Sequence, residues 1–247
     1  MCNSAEEFHV IKMINIPGEL CSIYSYLNEN EFKPLSEFKL YDAVYVARMA
    51  RYKRHRLAAK ISKLYVQTYG VCNSDGEYDL RSYAPELSHC DYNKKRIARN
   101  ELIKKYNQAH VGLALSKCEG AMLACGEYML CGIPVVSTSC RGGREEFFDP
   151  RYVKIVDDNP DAVAEGVVEM KAVNINPSMI RQETLEKIKL HRRRLCAYIQ
   201  KIIQKNTKNN NVPTVEWLVD YYFNHPEGIN RLYVNYRNLK KVLAKLQ

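Results

Sequence analysis

Several patterns that would decide the function of this chain at once are missing. No stretch approaches the roughly 18 apolar residues of a membrane-spanning helix, and the N-terminal MCNSAEEFHV lacks the basic-then-apolar order of a secretory signal, so the sequence reads as cytoplasmic. Nine cysteines are present, an odd number with no Cys-x-x-Cys pair, which excludes a conventional disulfide framework and a zinc knuckle and fits reduced thiols. Cys118, Cys125, Cys131 and Cys140 cluster, but at irregular spacing that suits small core residues better than metal ligands. No Gly-x-Gly-x-x-Gly follows a predicted strand, which argues against a dinucleotide-dependent dehydrogenase. There is no Asp-x-Asp to hold a metal ion, and no internal repeat of 20–50 residues.

What is present is ordinary for a globular core and unusual in charge. Hydrophobic residues make up 46% and charged residues 26%, with a formal net charge of +9. Such an excess implies an anionic partner and leaves nucleic acid, a membrane surface and phosphorylated small molecules open. Much of it sits at Arg48–Arg56 and Lys187–Lys208. The first coincides with a strand-to-helix junction and reads as a site; the second reads as a solvated helix face.

Residues 1–40 alternate weakly between apolar and polar and are too short for a domain. From Tyr41 the pattern turns to α/β: YDAVYVAR is a continuous apolar run suited to a buried parallel strand, MARYKRH is a basic turn, and RLAAKISKL (56–64) predicts an amphipathic helix. LYVQTYG follows as a second strand, giving a βαβ unit. Residues 71–87 read as loop with at most one short helix, NKKRIARNELIKKYNQA (93–109) as a helix, and VGLALS (111–116) as a strand. RYVKIV (151–156) is a further strand, and DDNPDAVAEGVVEM opens a helix with Asp and Pro at its start. A long helix follows over 179–205, then the polar linker NTKNNN, the aromatic segment EWLVDYYF around Trp217, the turn HPEG and a terminal basic helix, NLKKVLAKL. The expected organisation is an N-terminal segment (1–40), a Rossmann-like parallel sheet flanked by helices (41–171) and a helical C-terminal extension (172–247).

The chain is organised around Ser116–Glu145, SKCEGAMLACGEYMLCGIPVVSTSCRGGRE. A loop leads into a short helix over about Ala121–Cys131, Gly132 and Pro134 stop it, and PVVST makes a buried strand. Glu119 lies at the helix start and Glu127 about two turns into it, so both can face the crevice where strand ends meet helix N-termini, the usual nucleotide site of open α/β sheets.

The pair Glu119-x7-Glu127 followed by CGIPVVST and a Gly-Gly pair closely resembles the donor-binding half of retaining GT-B glycosyltransferases of family 4 (group 1). NENEFKPLSEF resembles the hinge that joins the two domains of such enzymes, and Arg48 and Lys53 resemble the pair that grips the donor diphosphate. The resemblance implies a UDP- or GDP-sugar donor, transfer without a metal or other cofactor, Glu119 near the donor sugar and Glu127 on the ribose hydroxyls. Arg48, Lys53 and Glu119 are the implied catalytic residues. Gly120, Ala121, Met122 and Leu123 complete the implied donor contacts, with helix N–H groups facing the phosphates; the family often has a second glycine where Met122 stands. Gly142 and Gly143, followed by Arg144 and Glu145, resemble its Gly-Gly-x-x-Glu loop.

These residue types suit the chemistry. Transfer of a sugar builds negative charge on a leaving diphosphate, which fixed cations and helix N–H groups stabilise. Arginine can fork two oxygens where lysine acts as a point charge, and a carboxylate accepts two hydroxyl hydrogen bonds. Each residue also has a plainer reading: a solvated basic turn for Arg48 and Lys53, a helix-dipole carboxylate for Glu119, a surface residue for Glu127. His55, His89 and His110 lack a visible partner and read as structural. The first GT-B domain, which normally supplies acceptor contacts, is largely missing from this sequence. The acceptor is therefore unknown, and a second polypeptide carrying the acceptor domain and a peripheral membrane contact stay open as partners. The alternative from another class is a non-catalytic anion or nucleic-acid binder using the basic helix Ile180–Lys205, although no nucleic-acid module is recognisable.

Overall fold

The computed structural model describes residues 1–206 and 212–224. Most of the NTKNNN linker, the HPEG turn and the terminal basic helix lie outside the described residues. The chain divides into two compact units, Glu29–Leu185 and a smaller one joining Met1–Asn28 to Glu186–Gln247.

The larger unit is an α/β layer structure. Among the described residues, six parallel strands form one sheet: β1 (Tyr41–Arg48), β2 (Leu64–Tyr69), β3 (Asp91–Tyr92), β4 (Ala109–Ala114), β5 (Val135–Thr138) and β6 (Val153–Val156), in the order β3-β2-β1-β4-β5-β6. The inner strands are buried on both faces, which is why they read as continuous apolar runs. Alternation along the strands sends neighbouring residues to opposite faces. Gly112 thus meets Tyr128 of α4 (Leu123–Leu130), while Val136 meets Gly166 of α5 (Pro160–Ala172). Asn159 caps α5, its side chain accepting from the Ala162 N–H at 2.8 Å.

Three expectations need correction. Residues 56–64 are not an amphipathic helix. The link from β1 to β2 runs through two short 3₁₀ turns, Arg51–Lys53 and His55–Ala58, separated by Arg54 in the left-handed region (φ 54°). That conformation interrupts any helix, and it turns Lys53 and Arg54 back over the strand ends. Second, α3 spans Arg99–Asn107, six residues later than the pattern suggests. The intervening Asn93 acts as a surrogate strand: its Oδ1 accepts from the Thr68 N–H at 2.6 Å and its Nδ2 donates to the Thr68 carbonyl at 2.9 Å. Third, the two-residue edge strand β3 had no apolar run to announce it. The 71–87 loop holds one short helix, α2 (Leu80–Tyr83), and a 3₁₀ turn at Pro85–Leu87.

In the smaller unit the weakly alternating N-terminus is helical: α1 (Ala5–Met13) starts at Ser4, whose Oγ accepts from the Glu7 N–H at 3.1 Å. The long helix α6 (Pro177–Asn206) gives its first turns to the larger unit and the rest to the smaller. There Cys21, Leu195 and Cys196 pack with Leu218 of α7 (Val215–Val219), Tyr222 and Phe223. The basic strip of α6 is partly internal: Arg192 is buried, donates to the carbonyls of Ser25 (3.0 Å) and Leu27 (2.7 Å), and lies over the Phe223 ring. Among the described residues no helix is long and apolar enough to cross a membrane.

Candidate functional site

The sheet order reverses between β1 and β4, the position at which open parallel sheets form a crevice outside the carboxyl ends of the strands. Here the two strands also part. Pairing runs from Tyr41–Ala109 to Val44–Gly112 and stops, although β1 continues to Arg48. Beyond that point the Val46 N–H is met by the hydroxyl oxygen of Tyr128 at 2.8 Å. The Tyr128 ring can lie against β4 because residue 112 is glycine: a Cβ there would stand 2.3 Å from the ring. One side chain from α4 thus satisfies the backbone of β1 and keeps β4 from closing on it.

The loops after the two strands meet across this opening. Lys53, only 2% exposed, extends its ammonium to both oxygens of Glu119, at 2.6 and 2.8 Å. Behind the pair, the Tyr45 hydroxyl donates to the Lys53 carbonyl. Buried ion pairs hold only where geometry and further hydrogen bonds offset desolvation, and this one is bidentate. His55, next in the turn, is buried against Tyr45 and Tyr83; burial, and then the Lys53 charge, lower its pKa to about 4, so it is neutral at physiological pH.

The loop after β5 supports Glu119 from the other side. The Glu119 N–H donates to Arg141 O (3.0 Å), Arg141 N–H to Lys117 O (3.0 Å), and Gly143 N–H to Gly120 O (2.6 Å). Gly142 passes so close, at φ 145°, that a Cβ would lie 1.7 Å from the Glu119 carbonyl oxygen. Glycine at 142 is therefore what lets this backbone pass so close to Glu119. Glu145 accepts from the Cys140 N–H at 3.0 Å. Arg54 crosses the same edge, donating to Leu115 O at 2.6 Å, to Thr138 Oγ1 and to Asp158 at 2.5 Å.

Glu127 faces α3. Its Oε2 accepts from the Tyr106 hydroxyl at 2.5 Å, and Tyr106 stacks edge-on against Tyr128 at 5.1 Å. Burial raises the Glu127 pKa, against the lowering effect of the Tyr106 bond and the Arg99 charge. Arg48 is exposed at the end of β1 and lies along Gly70. The Tyr69 pKa is raised, mainly by burial and then by Tyr52 and Glu119, with Arg48 working against them. The structure therefore brings Lys53 and Glu119 into contact, with Arg48 at the end of β1 and Glu127 turned to Tyr106 of α3. Met122, buried, is the N-cap of α4 and has no oxygen to cap with; Leu123 opens the helix and is exposed; Ala121 is half-buried. Of the other histidines, His89 bonds Ile61 O at 2.9 Å and His110 is half-buried at the start of β4.

Three contributors escaped sequence reading. Tyr106 reads most simply as core, nothing in the sequence singles out Tyr128, and Arg144 enters only as a member of the Gly-Gly-x-x-Glu segment. Nothing in spacing points from Tyr128 to Val46, which is 82 positions away.

Comparison with known proteins gives a consistent picture. The family model described as glycosyl transferases group 1 matches residues 41–172. Among solved structures, sucrose-phosphate synthase from Thermosynechococcus elongatus superposes with a TM-score of 0.56 at 18% identity, over 83% of this chain and 56% of that one. Anabaena HepE in complex with UDP gives 0.59 at 11% identity, over 83% and 62%. The C-terminal domain of the group 1 family glycosyl transferase LpcC from Francisella tularensis gives 0.50 at 14% identity, over 66% of this chain and 97% of that domain. The present chain thus spans little more than half the length of the two longer proteins. No curated protein matches it by sequence.

Proposed function

The chain belongs to the group 1 glycosyl transferases, and from that premise we propose that its crevice binds the diphosphate of a nucleoside-diphosphate sugar as the donor half of a retaining, family 4 type transferase. The observation that carries this is the Lys53–Glu119 pair bridging the switch point at 2.6 Å, with Arg48 at the end of β1, a strand that borders it.

In the bound state the diphosphate oxygens take over the Lys53 ammonium, and Arg48 closes on the second phosphate. Glu119, released from Lys53, turns to the donor sugar; Glu127, positioned by Tyr106, accepts from the ribose hydroxyls. Both cations stabilise the charge that grows on the leaving diphosphate, and the first N–H groups of α4, at Met122 and Leu123, add to them. Gly120 and Ala121 line the approach. Front-face transfer asks little of the protein beyond placement and charge stabilisation. These cations meet the charge without a metal ion, so chelators leave donor binding unchanged. The donor nucleotide is UDP or GDP.

The acceptor-binding half comes from a further domain or a second polypeptide, and the hinge-like segment that leaves Phe38 exposed offers it an apolar surface. Nine cysteines, an odd number with no Cys-x-x-Cys pair, support a reducing, cytoplasmic setting. A nucleic-acid role for α6 is disfavoured because Arg192 spends its donors on backbone carbonyls.

Thermal-shift titration with UDP, GDP and their sugars tests the proposal. Stabilisation by one nucleotide family, lost in Arg48→Ala and Lys53→Ala, is the expected result; no shift with any of them refutes it.

A further inference from the structure

The floor of the crevice does not balance its charges. Lys53 is paired with Glu119 and Arg54 with Asp158, at 2.6 and 2.5 Å. Arg144 is fully buried and, among the described residues, has no carboxylate within 4 Å. Its Nη2 donates to the Thr138 carbonyl at 2.6 Å, while Nε and Nη1 have no acceptor among the described residues. A buried ion ordinarily has its charge and its donors met, because an unmet charge in a dry interior is strongly unfavourable.

Its position is defined by what it acts on. Thr138 ends β5 at the crevice edge. The Tyr45 hydroxyl, bonded to the Lys53 carbonyl, feels Glu119, Arg144 and Arg54 together. The Cys140 thiol, 4.0 Å from the Glu119 carbonyl, feels Arg144 as well. The preceding residue, Gly143, donates its N–H to Gly120 O at 2.6 Å, so Arg144 belongs to the loop that seats Glu119. An apolar side chain would fill the same enclosed space at residue 144 with no unmet donors.

We propose that Arg144 is a positioning residue for the anionic part of the ligand: it gives the crevice floor one positive charge more than the protein neutralises, and the donor diphosphate supplies the missing negative charge. The inference rests on the diphosphate-binding reading. Because the guanidinium is shielded from water, its field reaches the ligand with little screening by salt.

A purely structural arginine and a charge reservoir respond oppositely to substitution. Arg144→Met keeps the volume and removes the unmet donors, with Arg144→Gln as a second variant should the first fail to fold. Affinity for whichever of UDP or GDP the wild type binds is measured by calorimetry, affinity for the parent nucleoside by NMR titration, and stability by urea midpoint. The expected result is a roughly tenfold loss for the diphosphate, the worth of about one charge contact, with nucleoside affinity unchanged and the urea midpoint unchanged or higher; Arg144→Lys retains most of the diphosphate affinity. Equal diphosphate affinity in wild type and Arg144→Met overturns the inference and leaves the donor reading standing. Parallel losses of nucleoside affinity and urea midpoint also overturn it, by assigning Arg144 a structural role. A wild type that binds neither nucleotide overturns the donor reading itself, and the inference with it.

Discussion

Replacing Lys53 by methionine preserves an unbranched apolar stem and removes only the ammonium. Lys53 is 2% exposed and Glu119 19%, so the change leaves a mostly enclosed carboxylate facing a thioether, with two bonds of 2.6 and 2.8 Å deleted. Breaking one side of a fully buried pair costs about 3–5 kcal/mol. Glu119 keeps some contact with water, which places the expected loss lower, at about 2–3 kcal/mol, near that of a buried charge-assisted bond. Adding Glu119→Gln removes the stranded charge, so the double variant recovers much of that stability. Donor affinity behaves differently. The diphosphate loses one charge-assisted contact in both variants, which corresponds to roughly tenfold to a hundredfold weaker binding. Urea unfolding and nucleotide calorimetry on wild type, both single variants and the double variant separate the two effects. A folded Lys53→Met protein whose nucleotide Kd stays within a factor of about two of wild type refutes the idea that the phosphates sit on Lys53.

Further outcomes follow from the scaffold. Tyr128→Phe strands the Val46 N–H and is expected to cost about 1–3 kcal/mol in urea unfolding, the penalty for an unmet buried donor. Gly142→Ala sets a Cβ 1.7 Å from the Glu119 carbonyl and moves the loop that seats Glu119, so donor binding drops sharply while the far-UV circular dichroism is retained. His55 links stability to pH: its folded pKa of about 4 lies below its ordinary 6.5, so the unfolded chain binds the extra proton. Stability is therefore full above pH 6.5 and falls on acidification towards pH 4, by about 3 kcal/mol in all. His55→Phe flattens that slope, read from urea midpoints across the pH range.

Sequence made β1 and β2 legible to within a residue because both faces of each strand are buried, and burial on both faces leaves an unbroken apolar run. The helix-stop at Gly132 and the strand at Val135–Thr138 were legible through backbone chemistry, since few residues suit a φ of 72°. What failed was whatever depends on a partner far along the chain. Asn93 looks like the first residue of a basic helix until Thr68 is placed beside it. RLAAKISKL has helical spacing, but the left-handed Arg54 just before it commits the segment to tight turns. At the site, the carboxylates and cations were visible as residue types in a known context. Their pairing was not, because the 66 positions between Lys53 and Glu119 leave no periodicity to read.

Lys53 and Arg54 are consecutive, yet their contacts call for contrary behaviour. Lys53 holds a single carboxylate that an incoming anion can displace. Arg54 is anchored at the carboxyl ends of β4, β5 and β6 through Leu115, Thr138 and Asp158. A neighbour so firmly tethered confines any response of Lys53 to its side chain, letting it exchange ions while the backbone beneath stays still. The mouth of the crevice can then trade one anion for another by rotating a few torsions, with no strand end having to shift.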